Sequence, residues 1–439
     1  MSNDSGMTPR PPARTGPSGT RAGSMSAPRR GRATWALATL LAFGSAAAQP
    51  LRSDVVHWWT SGSEAAAVRA LAEAYQGAGG RWRDLAVTSA EQAREIARTR
   101  IAAGNPPLAA QFNLSSEFTE LARQGRLQPL DDVAAQAHWA QVLPPALLDA
   151  LRIDGHVYGA PLSIHMPVWL WSSTAALRRA GIAREPRSMD ELFAALDRLQ
   201  AAGLVPLAHG GQPWQDLHLF TAVLLNQGGR TLYLQALQQR SAAAWQGDAM
   251  RRVLLSFKRL RRYVDAASPG RDWNDSTALL ISGRAGLQFM GDWAKGEFAQ
   301  AGLQAGRDYG CTPGLAADAP YVVDGDVFVF PKGADPAAQR LLARVVTAPD
   351  TQLAFSARKG SVPVRMDLDL RSLDPCARLG AERLRDPGRL VANIEHLLPP
   401  ARHRALERVI SDYWNREQPV ERVQQALVQA LQDPDRRQP

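Results

Sequence analysis

From residue 54 onward, short apolar runs alternate with longer amphipathic ones, and that alternation limits the folds open to this chain. Residues 54–59 read as a strand and 63–76 as a helix. The pattern repeats as strand 82–88, helix 90–103, strand 108–112 and helix 115–124. Such a series calls for α/β architecture, with helices carrying the chain back over mainly parallel sheets. Asp154-Gly155 supplies a two-residue hairpin turn. A second series follows, with a strand at 168–171 and a helix at 174–180 stopped by Gly181. Ser188-Met189-Asp190-Glu191 reads as a capping box opening a helix over 191–202, and 204–208 as a strand. Helices are expected near 215–227, 248–264 and 275–282, then a strand at 285–290, a helix at 293–301 and a strand at 327–330. The C-terminal third reads as mostly helical, near 336–347, 402–415 and 420–432.

Residues 1–48 read as separate from the fold. Arg29, Arg30 and Arg32 precede an apolar run, Ala33 to Gly44, and Ala46-Ala47-Ala48 offers a cleavage site before Gln49. That run is too short to span a membrane, and no cysteine stands at the cut to take a lipid. The expectation is an exported protein, freed near Ala48-Gln49, with Met25 an alternative start to Met1. About 390 residues remain, more than one typical core, so two lobes are expected.

Composition excludes some functions. The formal charge is +9, but the six arginines and single aspartate of residues 1–48 leave only +4 for the rest. The densest basic run, Lys258-Arg259-Leu260-Arg261-Arg262, falls on an amphipathic helix and reads as a solvated face, not a nucleic-acid stripe. Two cysteines, Cys311 and Cys376, suggest one structural bridge in an exported chain, with two free thiols the alternative. Their spacing fits no zinc pattern, and no metal or cofactor is expected. No G-x-S-x-G, H-E-x-x-H, Walker or dinucleotide motif occurs.

Four clusters fall at expected strand–helix junctions, where open α/β sheets bind ligands. They are His57-Trp58-Trp59 with Glu64; His209-Gly210-Gly211-Gln212-Pro213-Trp214-Gln215-Asp216; Met290-Gly291-Asp292-Trp293-Ala294-Lys295 with Asp272-Trp273-Asn274 upstream; and Lys359-Gly360-Ser361-Val362-Pro363-Val364-Arg365. Indole planes cover the C–H faces of a polyhydroxy ligand, and carboxylates accept its hydroxyls. Each cluster also has a plain reading: core tryptophans, turn glycines, and Asp216 and Asp292 as helix caps. Lysine usage sharpens the choice. The chain has 47 arginines and only 4 lysines, yet Lys295 and Lys359 both stand beside glycine turns in these clusters. A slender ammonium fits a tight cleft better than a guanidinium fork.

HWWTSGSE, AGNPP, DGHVYGAPLSIH, WLW, AGI, PLAHGGQPWQD, RDWN, MGDWAK and KGSVPVR together resemble the extracellular solute-binding proteins of carbohydrate ABC transporters, nearest the glucose/mannose-binding branch. The resemblance spans nearly all of the chain after residue 48. It implies a two-lobed binding fold, with residues 49–165 and 326–355 in one lobe and 166–325 and 356–439 in the other. It also implies a small carbohydrate ligand, a membrane permease as partner, a monomeric receptor in the periplasm, no catalysis, and a bridge between Cys311 and Cys376.

Carried over residue by residue, the sugar-binding set is Trp58, Trp59, Glu64, Trp273, Asp292 and Lys359, with Asn113 where the branch has a lysine. His165, His209, Gln212, Trp214, Lys295 and Asp324 form a second tier. Further departures are Val322 for an amide side chain and Ile394 for a sugar-contacting histidine, with His396 close by. Met166 and Val168 replace an arginine and an asparagine. Lost hydroxyl partners predict weaker binding or a different sugar. Two alternatives accompany the receptor reading: a weak-binding paralogue serving a sensor kinase ectodomain, and a secreted glycoside hydrolase using Glu64 and Asp292.

Overall fold

The computed structural model describes residues 53–316 and 318–431. The expected targeting segment and the Arg-Arg-Gln-Pro tail lie outside these residues. Two main sheets organise the remainder. In the larger, β1 (Asp54–His57), β2 (Arg83–Ala86) and β3 (Ala109–Asn113) pair in parallel, as the first βα series predicts. A two-residue hairpin follows, β4 (Arg152–Ile153) with β5 (His156–Val157). Its turn residues Asp154 and Gly155 have φ of 50° and 89°, both left-handed, as a tight hairpin turn demands. The fully buried strand β6 (Ala160–His165) then leads through Met166-Pro167-Val168 into the smaller sheet.

That sheet contains β7 (Trp169–Ser173), β8 (Val205–Leu207), β9 (Ala285–Met290) and β10 (Tyr309–Thr312), in the order β10-β7-β9-β8. Only β8 and β9 run parallel; β7 lies antiparallel to both neighbours. The expectation of a mainly parallel sheet holds here for that one pair, because β7 enters from the crossover and not from a βα unit. The chain then returns to the larger sheet as β11 (Tyr321–Val329), which runs antiparallel to β3 and β6. Finally β12 (Leu390–Ala392) adds parallel to β11.

A boundary at 325/326 would cut through β11, since Asp324 and Gly325 already pair with His165 and Ile164 of β6. Nor does everything after residue 356 belong with the smaller sheet, because β12 completes the larger one.

Helix ends follow their local chemistry. Ser61 caps the helix Gly62–Gly77 in a full capping box with Glu64. At Ser188 only half of the expected box forms: its side chain accepts from Glu191 N–H, while Glu191 itself accepts from Arg187 N–H and Arg184. The expected 215–227 helix begins at Pro213 and loosens into a π-turn over Leu224–Gly228. A second π-turn covers Leu234–Gln238. One buried core runs from the larger sheet through Met166, Trp169 and Trp171 to Phe298 and Tyr309; another lies between the smaller sheet and the C-terminal helices. Cys311 of β10 is bonded to Cys376 of the helix Pro375–Arg383, so the bridge forms as expected.

Candidate functional site

The carboxyl ends of β1, β3 and β9, with the crossover after β6, carry most of the expected residues. The centre is an indole that the expected set omits. Trp293, half-buried, lies 5.7 Å from the His165 ring, 5.9 Å from His218 and 6.5 Å from Trp273. The Lys359 ammonium sits 5.5 Å from its ring centroid. Sequence placed Trp293 inside MGDWAK, but its neighbours Asp292 and Lys295 drew the attention there.

Lys359 ends the helix Pro349–Lys359 and pairs at 3.0 Å with Glu64, both buried. Glu64 also accepts from Ser61 N–H in the capping box. Gly360 follows with φ 93°, where a Cβ would stand 2.6 Å from the Asp292 carbonyl oxygen. Only glycine admits that approach, which brings Lys359 and Asp292 onto one wall.

Asp292 accepts from Met166 N–H at 3.0 Å and from His165 Nδ1 at 3.1 Å. Nε2 of His165 bonds Asp326, which also accepts from Ser163 and from Gln111, both at 3.0 Å. Gln111 in turn accepts from Trp58 N–H at 3.1 Å. Burial would push His165 down, but Asp326 and Asp292 overrule it and hold the ring protonated, at about 9. Asp326, in spite of its own burial, is held low by the same imidazolium.

Asp324, opposite His165 in the sheet, accepts from Asn113 at 3.2 Å and Asn393 at 2.7 Å. Burial, with Glu395 nearby, raises its carboxyl to about 7. Arg94 reaches the same quarter: it is 5.7 Å from the centroid of half-buried Trp58, 3.0 Å from Glu117 and 3.8 Å from Glu395. Nothing in the sequence distinguishes Arg94 among 47 arginines.

Glu395 lines a cavity of about 30 Å³ together with Trp214, His218, Ile394, His403 and Glu407. Thus Glu64, Lys359, Asp292, His165, Asp324, Asn113 and Trp58 form one connected wall, and Trp293 joins it through His218 to the cavity beside Trp214. Trp273 touches this wall through Trp293.

Other expected residues serve the framework. Trp59 is 2 % exposed and packs edge-on against Phe328 and Phe355, so it is core and not a stacking plate. Both tryptophans lie just past the end of β1, and there Trp59 turns into the core while its neighbour Trp58 stays half-buried. His209 is bound at 2.8 Å by Asp216, which Ser411 also holds at 2.7 Å, tying the β8 loop to the helix Pro400–Asn415. Asp216 is therefore a buried acceptor and not a cap. Lys295 pairs with Asp374, the cap of the helix Pro375–Arg383, and not with Glu64. Gln212 accepts from Trp214 Nε1 at 2.7 Å and bonds Asp272, fixing the Trp214 indole. Val322 is buried opposite Val391, so the amide it replaces is not lost from the cavity wall. Ile394 does line the cavity. Among the described residues, no group of three or more His, Cys, Asp or Glu is placed to hold a metal, and no helix is long and apolar enough to cross a membrane.

The chain resembles known proteins in sequence and in fold. A "Probable sugar-binding periplasmic protein" of Rhizobium meliloti (strain 1021) is 38% identical over 413 residues, covering 92% of this chain and 99% of its own. One of the same description from Brucella suis biovar 1 (strain 1330) is 37% identical, covering 86% and 91%. Among solved folds, the maltose-bound MalE3 of T. maritima superposes with a TM-score of 0.73 at 15% identity, covering 87% of this chain and 98% of its own. A chitin oligosaccharide binding protein superposes at 0.74 and 17%, covering 87% and 98%. Such two-lobed folds are built as this one is, each lobe around its own sheet. The model of the bacterial extracellular solute-binding proteins matches residues 59–353, and with these relatives it shows that the chain belongs to that family.

Proposed function

We propose that this protein is a periplasmic receptor that binds a monosaccharide or small oligosaccharide and passes it to an ABC permease. The observation that carries this reading is the set of half-buried tryptophans, Trp58, Trp214, Trp273 and Trp293, arrayed beside buried carboxylates, one ammonium and a cavity at the carboxyl ends of both sheets. Relatives named as sugar-binding periplasmic proteins support it. Indoles suit the C–H faces of a pyranose, and the carboxylates suit its hydroxyls.

In this reading Trp58, Trp293 and Trp214 cover the sugar, with Trp273 behind Trp293, and Asp292, Asn113 and Asp324 hold the binding wall. Lys359 and Glu64, already paired, position Trp293 and reach hydroxyls at its edge. We place the lobe limits at the crossover after His165 and at the entry to β11, and the two halves close on the ligand. The receptor is exported by cleavage near Ala48-Gln49, carries no lipid anchor and acts as a monomer. Hydrolysis is disfavoured because Glu64 is tied to Lys359 and Asp292 to His165, which leaves no paired acid and base.

Calorimetric titration of the purified protein with a panel of neutral and substituted hexoses and pentoses tests the proposal. Saturable binding of at least one sugar, lost in Trp293→Ala with the fold retained by circular dichroism, is the expected result. Absence of binding across the panel at millimolar sugar overturns it.

A further inference from the structure

The cavity between Trp214 and Glu407 has a lopsided inventory of hydrogen-bonding groups. Its walls are apolar where Pro167, Val168, Leu217 and Ile394 stand, and Trp214 supplies an indole edge. The polar groups are nearly all spent or are acceptors. Trp214 Nε1–H already donates to Gln212, and Thr221 Oγ–H donates to Leu217 carbonyl. Asn393 gives one of its two amide N–H groups to Asp324, and its oxygen accepts from Ile394 N–H. His218 donates Nδ1–H to the Trp214 carbonyl at 2.9 Å; burial keeps its ring neutral, so Nε2 is a bare acceptor.

What remains are Glu395, held only loosely at 3.8 Å by Arg94, then His403 and Glu407, for neither of which the described residues supply a hydrogen bond or ion pair. Other charges nearby do not redress the balance. Arg94 is already bonded to Glu117 at 3.0 Å, while Glu91, Asp216 and Glu395 all add negative potential at Glu407. Burial, then Glu395, lifts the Glu407 carboxyl to about 7, and burial keeps His403 neutral.

A sugar hydroxyl both donates and accepts, so in such a cavity its lone pairs meet few donors. An ammonium has three donors and no lone pair. A carboxylate or phosphate on the ligand would meet Glu395 and Glu407 with no cation free among the lining residues.

We propose that this cavity selects an amino sugar, a hexose bearing a free primary amine, whose ammonium sits between Glu395 and Glu407 while its ring lies against Trp214. The inference rests on the sugar-receptor reading above and names the ligand class of the same site. The cavity itself is about 30 Å³, room for a group the size of one water, so it takes the ammonium while the ring lies outside it against Trp214. A charge-assisted pair is worth roughly twice a neutral hydrogen bond, so the amine should add about tenfold or more in affinity.

Calorimetry at pH 7 on the full-length exported protein with D-glucosamine, D-glucose, N-acetyl-D-glucosamine and D-glucuronate is the test. Expected is glucosamine at least about tenfold tighter than glucose, no such gain for the acetylated amine, and glucuronate weakest. In Glu407→Gln the glucosamine-to-glucose ratio should fall to about twofold or less, and that ratio is the readout whatever the variant does to either affinity alone. Glucose equal to or tighter than glucosamine overturns the inference and leaves the receptor reading standing, as does a gain that survives acetylation. A wild-type amine preference unchanged in Glu407→Gln overturns the assigned ammonium position. No binding of any sugar overturns both readings.

Discussion

A single imidazolium gathers three crossings of the chain. His165 ends β6, Asp292 follows β9 and Asp326 lies in β11, and the ring bonds both carboxylates. Because its folded value is raised from 6.5 to about 9, the folded state holds this proton more tightly than the unfolded chain does. Its stabilisation is therefore complete below pH ~6.5 and fades as pH rises through about 9, by at most on the order of 3 kcal/mol. Thermal melts from pH 6 to 10 should show this loss, and His165→Gln should flatten the profile; an identical profile in the variant refutes the assignment. Lys359 makes a second case. Lys359→Met leaves the buried Glu64 without its cation and should cost about 3 kcal/mol in urea unfolding, much of it regained in Glu64→Gln/Lys359→Met. An unaltered urea midpoint in the single variant would remove the pair from the account. The scarcity of lysine made Lys359 legible in the sequence, but the same signal raised Lys295, which serves Asp374 instead. Rarity marks a constrained position; it does not say whether the constraint is binding or framework. Arg94 and Glu395 were illegible for the opposite reason, being common residue types brought together only by tertiary approach.

At the scale of elements, periodicity located most strands and helices, because most strands are short and apolar and many helices are punctuated by a cap or a glycine. It failed where pairing is decided far away in sequence. β12, three residues long, exists only because β11 offers an edge to Leu390–Ala392. The start of β11 was missed because Tyr321–Asp324 show no alternation of their own. The Lys359-Gly360 turn was expected at a strand–helix junction; it closes the helix Pro349–Lys359 in the left-handed conformation typical of a C-terminal glycine. Gly360→Ala should destabilise by more than about 1 kcal/mol, since it combines strain at φ 93° with a clash against the Asp292 carbonyl. Chemical denaturation measures the loss, and sugar affinity should fall with it, because Asp292 must move. A stable variant with native affinity would show that this close approach is dispensable.

Over the whole molecule, the two-sheet plan was visible in advance, while the direction of strands in the smaller sheet was not. Motifs report which residue types gather at the ends of strands more readily than they report how the chain enters a sheet. Cys311 and Cys376 bind β10 to the helix Pro375–Arg383 across 65 positions of sequence. Replacing Cys311 with Ser should cost about 2–5 kcal/mol, read as a lowered melting temperature relative to the oxidised protein. Wild type and variant melting together under oxidising conditions would argue that the linkage adds nothing. That covalent tie has a practical corollary. Asp374, which grips Lys295 just beyond Asp292, sits two residues before the second sulfur. Material made in a thiol-rich cytoplasm therefore reaches the bench with the outer support of its ligand wall unfastened, and air oxidation during purification becomes part of assembling the receptor.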